Sequence, residues 1–241
     1  PTAGAWTVMV RREANAWGSF SYNAAEDAVR CSATPTAAEH EEMLRYTLDP
    51  TSDSTVTVTL RWEKLALRFP IAVPTTQVVL DSVAQQLRGF QYFCPPSWNQ
   101  AAMQAIARGQ WTLAAAWADS AITRNGGFQS LRIKALVLEK QGNTAEAARL
   151  RDQALTVASE AEVNTLGYQM MNAGKMDEAL TLFRKNVADY PRSWNVYDSL
   201  AEALAKKGDK RGALQNYQRA LDMAPDDTQR TRIRAAMAAL R

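Results

Sequence analysis

Four glycines recur at almost constant spacing between residues 109 and 208 of this 241-residue chain. Gly109, Gly142, Gly174 and Gly208 lie 33, 32 and 34 residues apart by residue number. The stretch at 194–225 shows best what surrounds them: W-N-V-Y-D-S-L-A-E-A-L-A-K-K-G-D-K-R-G-A-L-Q-N-Y-Q-R-A-L-D-M-A-P. Tyr197, Leu200, Ala201 and Leu204 fall at helical spacing. Gly208 breaks the run, Ala213, Tyr217 and Ala220 resume it, and Pro225 stops it. This is the pattern of two amphipathic helices around a tight turn. Ala201 and Ala213 are small enough to let the helices approach. Tyr217 fills the space they leave, Gly208 accepts a left-handed conformation and Pro225 cannot sit in a helix interior.

Shifted back by one period, Leu166, Gly167, Met170, Gly174, Ala179, Phe183 and Pro191 take the equivalent places, with Asn186 where alanine is usual. A further shift gives Ala135, Leu138, Gly142, Ala147 and Ala154, with Arg151 at the large position and Ser159 in place of the proline. Trp98, Ala102, Ala105, Gly109, Ala114 and Ala121 make a fourth, weaker copy. The pattern resembles the tetratricopeptide repeat, a helix pair that stacks on its copies to bury a continuous core. Residues 226–241 read as a last helix, with Ile233, Met237 and Leu240 on one face, the cap that a stacked array needs. Arg230, Arg232, Arg234 and Arg241 are read as a solvated face with cations near a helix C-terminus.

Residues 1–73 carry a different period. Residues 6–10, 28–33 and 42–48 are strand candidates, and 16–22 a turn or short strand. In S-T-V-T-V-T-L-R-W (54–62), Val56, Val58, Leu60 and Trp62 face one way, and Thr55, Thr57, Thr59 and Arg61 the other. Glu63 and Lys64 are expected to turn the chain. Leu65, Leu67, Phe69, Ile71 and Val73 then return with the same alternation, and Pro70 argues for an edge or an irregularity. Five or six strands without helices predict part of an antiparallel β-sandwich. This succession, most specifically Trp17-Gly18 and L-R-W-E (60–63), is similar to the second half of a bacterial β-domain family of unknown function, of the type numbered 2911. The resemblance implies export to the periplasm or outside the cell, and tetratricopeptide-like helices after the β-domain. The family's upstream W-R-T-G-A-N-E type motif is not in this chain.

Residues 74–94 are a helix and linker. Thr75 or Thr76 is the candidate N-cap, Gly89 the stop, and 90–96 (F-Q-Y-F-C-P-P) a segment whose aromatics are expected to seal the joint between domains. The expected architecture is thus α+β in two domains: a partial antiparallel β-sandwich (1–73), then an all-α tetratricopeptide-like solenoid of about four helix pairs plus a capping helix (95–241).

Composition narrows the chemistry. Lys and Arg number 28 and Asp and Glu 25, a net charge of +3. Residues 1–88 hold 8 and 10 of them, and the remainder 20 and 15, so a mild basic excess lies in the helical part. No clustered basic stripe with interleaved aromatics suggests nucleic acid, and no apolar run is long enough to span a membrane. Cys31 and Cys94, with His40 as the only histidine, make no zinc pattern. A Cys31–Cys94 disulfide is left open, and Cys31 reads as a small buried hydrophobe. His40, between Glu39, Glu41 and Glu42, reads as a solvent-facing loop residue. The three glutamates lack the spacing of a calcium loop, and Glu26-Asp27 reads as turn chemistry. Gly126-Gly127 after Asn125 reads as a turn between repeats, not a phosphate loop. No cofactor, metal site or catalytic constellation is expected.

The inner face of the array is the remaining place for function. In such repeats the first helix of each pair lines a groove. The resemblance carries the inward positions onto Asn99, Arg132, Lys140, Asn164, Tyr168, Asn172, Asn195, Asp198, Glu202 and Lys206. Asparagine amides there offer a donor and an acceptor to a peptide backbone. A carboxylate clamp of the chaperone type does not fit, because Asp198 and Glu202 would repel a carboxylate. The expected function is a non-enzymatic scaffold that binds a protein or peptide on this face. The alternative is a small-ligand binder or enzyme whose site lies in an N-terminal half of the β-domain outside this chain.

Overall fold

The small residues of the repeat set how closely the helices pack. In the computed structural model, which describes residues 4–13, 20 and 22–240, the chain divides into two compact units, 1–82 and 83–241.

The second unit holds α2 (Pro95–Ala107), α3 (Trp111–Thr123), α4 (Gly127–Lys140), α5 (Thr144–Val157), α6 (Glu160–Asn172), α7 (Met176–Asp189), α8 (Trp194–Lys207), α9 (Lys210–Met223) and α10 (Asp227–Ala238). They form four consecutive pairs closed by α10, the expected solenoid. Gly208 ends α8 with φ 92°, a conformation that costs a residue with a Cβ. Ala201, Ala213 and Ala220 are buried, and Tyr217 fills the gap between them. One repeat earlier Phe183 is fully buried and lies against Gly167. A single cluster runs from Met171 and Phe183 through Val196, Leu200 and Tyr217 to Ile233 of α10. The α4–α5 pair has its own core of Phe128, Leu131, Ala135, Ala147, Leu150 and Ala154. Arg151, at the large position of this pair, is exposed and pairs with Glu139. Ser159, where a proline stands in other copies, caps α6 in a reciprocal box with Glu162. Asn186, the exception to alanine, is fully buried and donates from Nδ2 to the Glu160 carbonyl at 3.0 Å, tying α7 to the start of α6.

The expected linker is shorter than 90–96. Pro95 and Pro96 open α2, where the missing N–H groups have no helical partner to lose. Phe90–Phe93 forms a 3-10 turn. Trp98 Nε1 donates to the Tyr92 carbonyl at 2.8 Å, and the Arg124 guanidinium stacks 4.0 Å from the Tyr92 ring and 4.6 Å from Trp98.

Among its described residues the first unit contains two antiparallel sheets of two strands. β1 (Trp6–Arg11) pairs with β2 (Asp27–Ala33), and β3 (Thr36–Ser52) with β4 (Thr55–Ala72). The expected turn at Glu63-Lys64 is absent: β4 continues through it, with Glu63 at φ 53° and register shifts on both sides of the Glu41–Glu63 pair. Apolar residues occupy even positions to Trp62 and odd ones from Leu65, which in sequence mimics a reversal. A bulge makes the same change of phase inside one strand. The candidate strand at 42–48 is likewise part of the longer β3. Tyr46 lies opposite Leu60 and Leu48 opposite Val58, so the apolar face predicted for β4 is shared across the ladder. Pro70 lies beyond Ala66, the last β4 residue in that ladder, and its absent N–H breaks no bond there. His40 sits in β3, not in a loop, with Nε2 3.3 Å from Glu63 Oε2. The candidate element at 16–22 lies outside the described residues except for Phe20 and Tyr22. Both cysteines are free thiols. The remaining helix, α1 (Thr75–Gln86), crosses the division between the units.

A Cβ on Gly167 would lie 2.6 Å from the Phe183 ring. Gly167→Ala should therefore lower stability by about 1–3 kcal/mol, by overpacking, although alanine is the better helix former. Urea unfolding checks this, and an unchanged or raised midpoint would show that Phe183 gives way.

Candidate functional site

The first helices of the pairs form a row because side chains one repeat apart meet. Buried Ser130 of α4 donates to Asn99 Oδ1 of α2 at 2.8 Å. Arg132 reaches Gln169 of α6 at 3.5 Å. Tyr168 Oη of α6 donates to Glu202 Oε2 of α8 at 2.8 Å and lies 3.4 Å from Ser199 Oγ. Asn195 Nδ2 and Ser193 Oγ, at the start of α8, donate to Glu160 Oε1 at 3.2 and 2.8 Å. Arg232 Nη2 of α10 donates to Asp198 Oδ2 at 2.8 Å. Each partner is 31 to 37 residues away, about one repeat.

The ten residues expected on this face have separate fates. Asn99 is buried and held by Ser130. Tyr168, Glu202 and Lys206 form a chain, with Lys206 Nζ 3.1 Å from Glu202 Oε1. Asn195 is partly buried against Glu160. Asn164 is partly buried and keeps a buried Oδ1 with no hydrogen-bond partner among the described residues. Asn172 is exposed at the end of α6. Arg132 is half-buried beneath the Phe128 ring, 5.2 Å from its centre. Lys140 is exposed, 6.0 Å from the Trp111 ring.

Asp198 corrects the expectation of a repulsive acidic end. Its side chain is 9% exposed and its counterion is Arg232, which had been assigned to a solvated face. Burial raises the Asp198 carboxyl above the ordinary aspartate range; Arg232 opposes this and Glu202 adds to it. Its Oδ1 has no partner among the described residues. Tyr168, edge-on to Phe183 at 5.2 Å, is pushed up to about 12, chiefly by burial and further by Glu202, while the contact with Ser199 opposes the shift. Burial also lowers Arg132. The periodicity could have found Arg232, because one 34-residue step from Asp198 lands on it. At one edge of the row, Pro95, Pro96, Asn99, Asn125, Gly126, Gln129 and Glu162 line an open cavity of about 490 Å³.

Hydrogen bonds, amides and paired charges dominate this surface. Among the described residues no group of three or more His, Cys, Asp or Glu is placed to hold a metal ion, and no helix is long and apolar enough to cross a membrane.

Residues 1–71 match the family model described as "Protein of unknown function (DUF2911)", and residues 196–231 match the tetratricopeptide repeat, in the order that the sequence implied. Three similar solved structures are the following. YrrB, described as a TPR protein with an unusual peptide-binding site, is 16% identical over 66% of this chain and 84% of its own, with a TM-score of 0.38. The C-terminal part of a TPR repeat-containing protein from Cytophaga hutchinsonii is 16% identical over 68% and 67%, with a TM-score of 0.40. MamA is 14% identical over 62% and 88%, with a TM-score of 0.37. No curated protein matches the chain.

Two measurements check the electrostatics. Folded Tyr168 holds its proton more tightly than unfolded tyrosine, so its contribution to stability is complete below pH 10.0 and is lost as pH rises through about 12. The difference between phenolate absorbance titrations of the wild type and Tyr168→Phe should reveal one tyrosine ionising near 12; an ordinary midpoint would contradict the burial described. Arg232→Ala should cost about 1–3 kcal/mol, because it leaves a buried carboxylate without its cation. Asp198→Asn in the same chain should recover part of that cost, and strict additivity in the double-mutant cycle would show that the pair is uncoupled.

Proposed function

We propose that the protein is a non-enzymatic scaffold whose helical array binds an extended segment of another protein along its row of first helices. The carrying observation is that the row's own contacts leave several of its polar groups exposed or only partly satisfied, Gln169 meeting Arg132 at 3.5 Å. Asn172 and Gln169 are exposed on α6, Asn164 keeps an unpartnered carbonyl oxygen, and Arg132 and Leu136 lie on the neighbouring α4. Amides that offer both a donor and an acceptor match the needs of a peptide backbone. Export from a bacterial cell is part of the proposal and rests on what the resemblance of the β-domain implies; the family model that residues 1–71 match is of unknown function.

The test is selection of end-capped random peptides on the whole chain, followed by anisotropy titration of the winners. Asn172→Ala and Gln169→Ala should each weaken binding by about three- to thirtyfold, the usual cost of one or two lost polar contacts. Wild-type affinity in both variants, or no binder after selection, would refute the reading.

A further inference from the structure

Charge is balanced unevenly along the row. At the α8–α10 end the two cations expected or found on this face have carboxylates, Lys206 with Glu202 and Arg232 with Asp198. On α4, Lys134 is paired with Asp119 at 2.6 Å. Among the described residues no carboxylate oxygen lies within 4.0 Å of the Arg132 guanidinium or the Lys140 ammonium. Arg132 is half-buried, and burial lowers its pKa with no anionic neighbour to oppose the shift. A cation withdrawn from water without a counterion is costly and is well placed to gain from one.

Arg132, Leu136 and Lys140 follow one another at four-residue steps, so they share a stripe of α4, and Leu136 presents an exposed apolar side chain between the charges. Arg132 and Lys140 are eight residues apart, about 12 Å along the helix axis. Their heads diverge, Arg132 toward Gln169 of α6 and Lys140 toward Trp111 of α3. A single carboxylate cannot serve both. An extended chain advances about 3.3 Å per residue, so two acidic side chains three or four residues apart span about 10–13 Å.

We propose that the Arg132–Leu136–Lys140 stripe of α4 binds an internal, extended segment of a partner protein that carries two acidic side chains three or four residues apart around an apolar one. This rests on the peptide-binding reading above and adds the chemistry of the partner. The bonds are charge-assisted and weaken with salt, because Lys140 is exposed.

The probe is an acetylated, amidated peptide with two glutamates at four-residue spacing around a leucine, titrated by anisotropy against the whole chain beside its glutamine twin. The glutamate peptide should bind about tenfold tighter or more, the worth of roughly one desolvated charge pair. Arg132→Gln and Lys140→Gln should each erase most of that preference. Arg132→Lys should keep part of it, and Lys134→Gln, on the same helix but already paired, should leave it unchanged. Circular dichroism confirms that each variant is folded. Equal binding of the two peptides overturns the inference and leaves the peptide-binding reading intact. So does a preference that survives Arg132→Gln and Lys140→Gln, is lost equally in Lys134→Gln, or requires a free C-terminus. If these probes fail while selected capped peptides bind, only the inference falls; if no peptide of any kind binds, both fall.

Discussion

Close approach between small and aromatic residues underlies everything else in the helical unit. Gly167 leaves room for Phe183, and buried Ala201, Ala213 and Ala220 leave room for Tyr217. Because the pairs stack at this short distance, first helices one repeat apart come within hydrogen-bond reach. Tyr168 then meets Glu202, and Asp198 meets Arg232. In a nearest-neighbour array each interface supports only its neighbours. A change at one interlock should therefore be felt first in the polar contact beside it.

The polar contacts divide the row into two regions with different chemistry. Toward α10 the charges compensate one another, and burial shifts Asp198 and Tyr168 toward their protonated forms. Folded Asp198 binds its proton more tightly than the unfolded chain does. Its contribution to stability thus declines as pH rises above the ordinary aspartate range. Around α4 and α6, among the described residues, the array leaves the Asn164 Oδ1 without a hydrogen-bond partner and the Arg132 and Lys140 cations without a carboxylate. The region that neutralises itself holds the helices together, and the region that does not is available to a partner.

Much of the fold is legible in the sequence because it is periodic. Glycine spacing fixes the helix pairs, and Ala213 with Tyr217 fixes how the α8–α9 pair closes. Legibility fails where one pattern has two physical readings. A change of phase at Glu63 reads as a turn, yet a bulge produces the same shift in one strand. Ser159 looks like a lost proline and is a helix cap. Arg232 looks like a surface charge until it is placed one period from Asp198. The groove positions are harder still. Asn99 and Asn164 occupy the same place in their repeats, yet Asn99 is buried against Ser130 while Asn164 keeps a buried Oδ1 with no hydrogen-bond partner among the described residues. That difference depends on the next helix over, which local sequence does not encode.

The most direct test of the account is amide hydrogen exchange of the whole chain with and without a selected peptide. Added protection should concentrate in α4 and α6, the two first helices whose polar groups the array leaves free, with α3, α5, α7 and α9 changing little. Protection confined to the second helices, or to residues 1–82, would contradict the claim that the row of first helices is the binding surface.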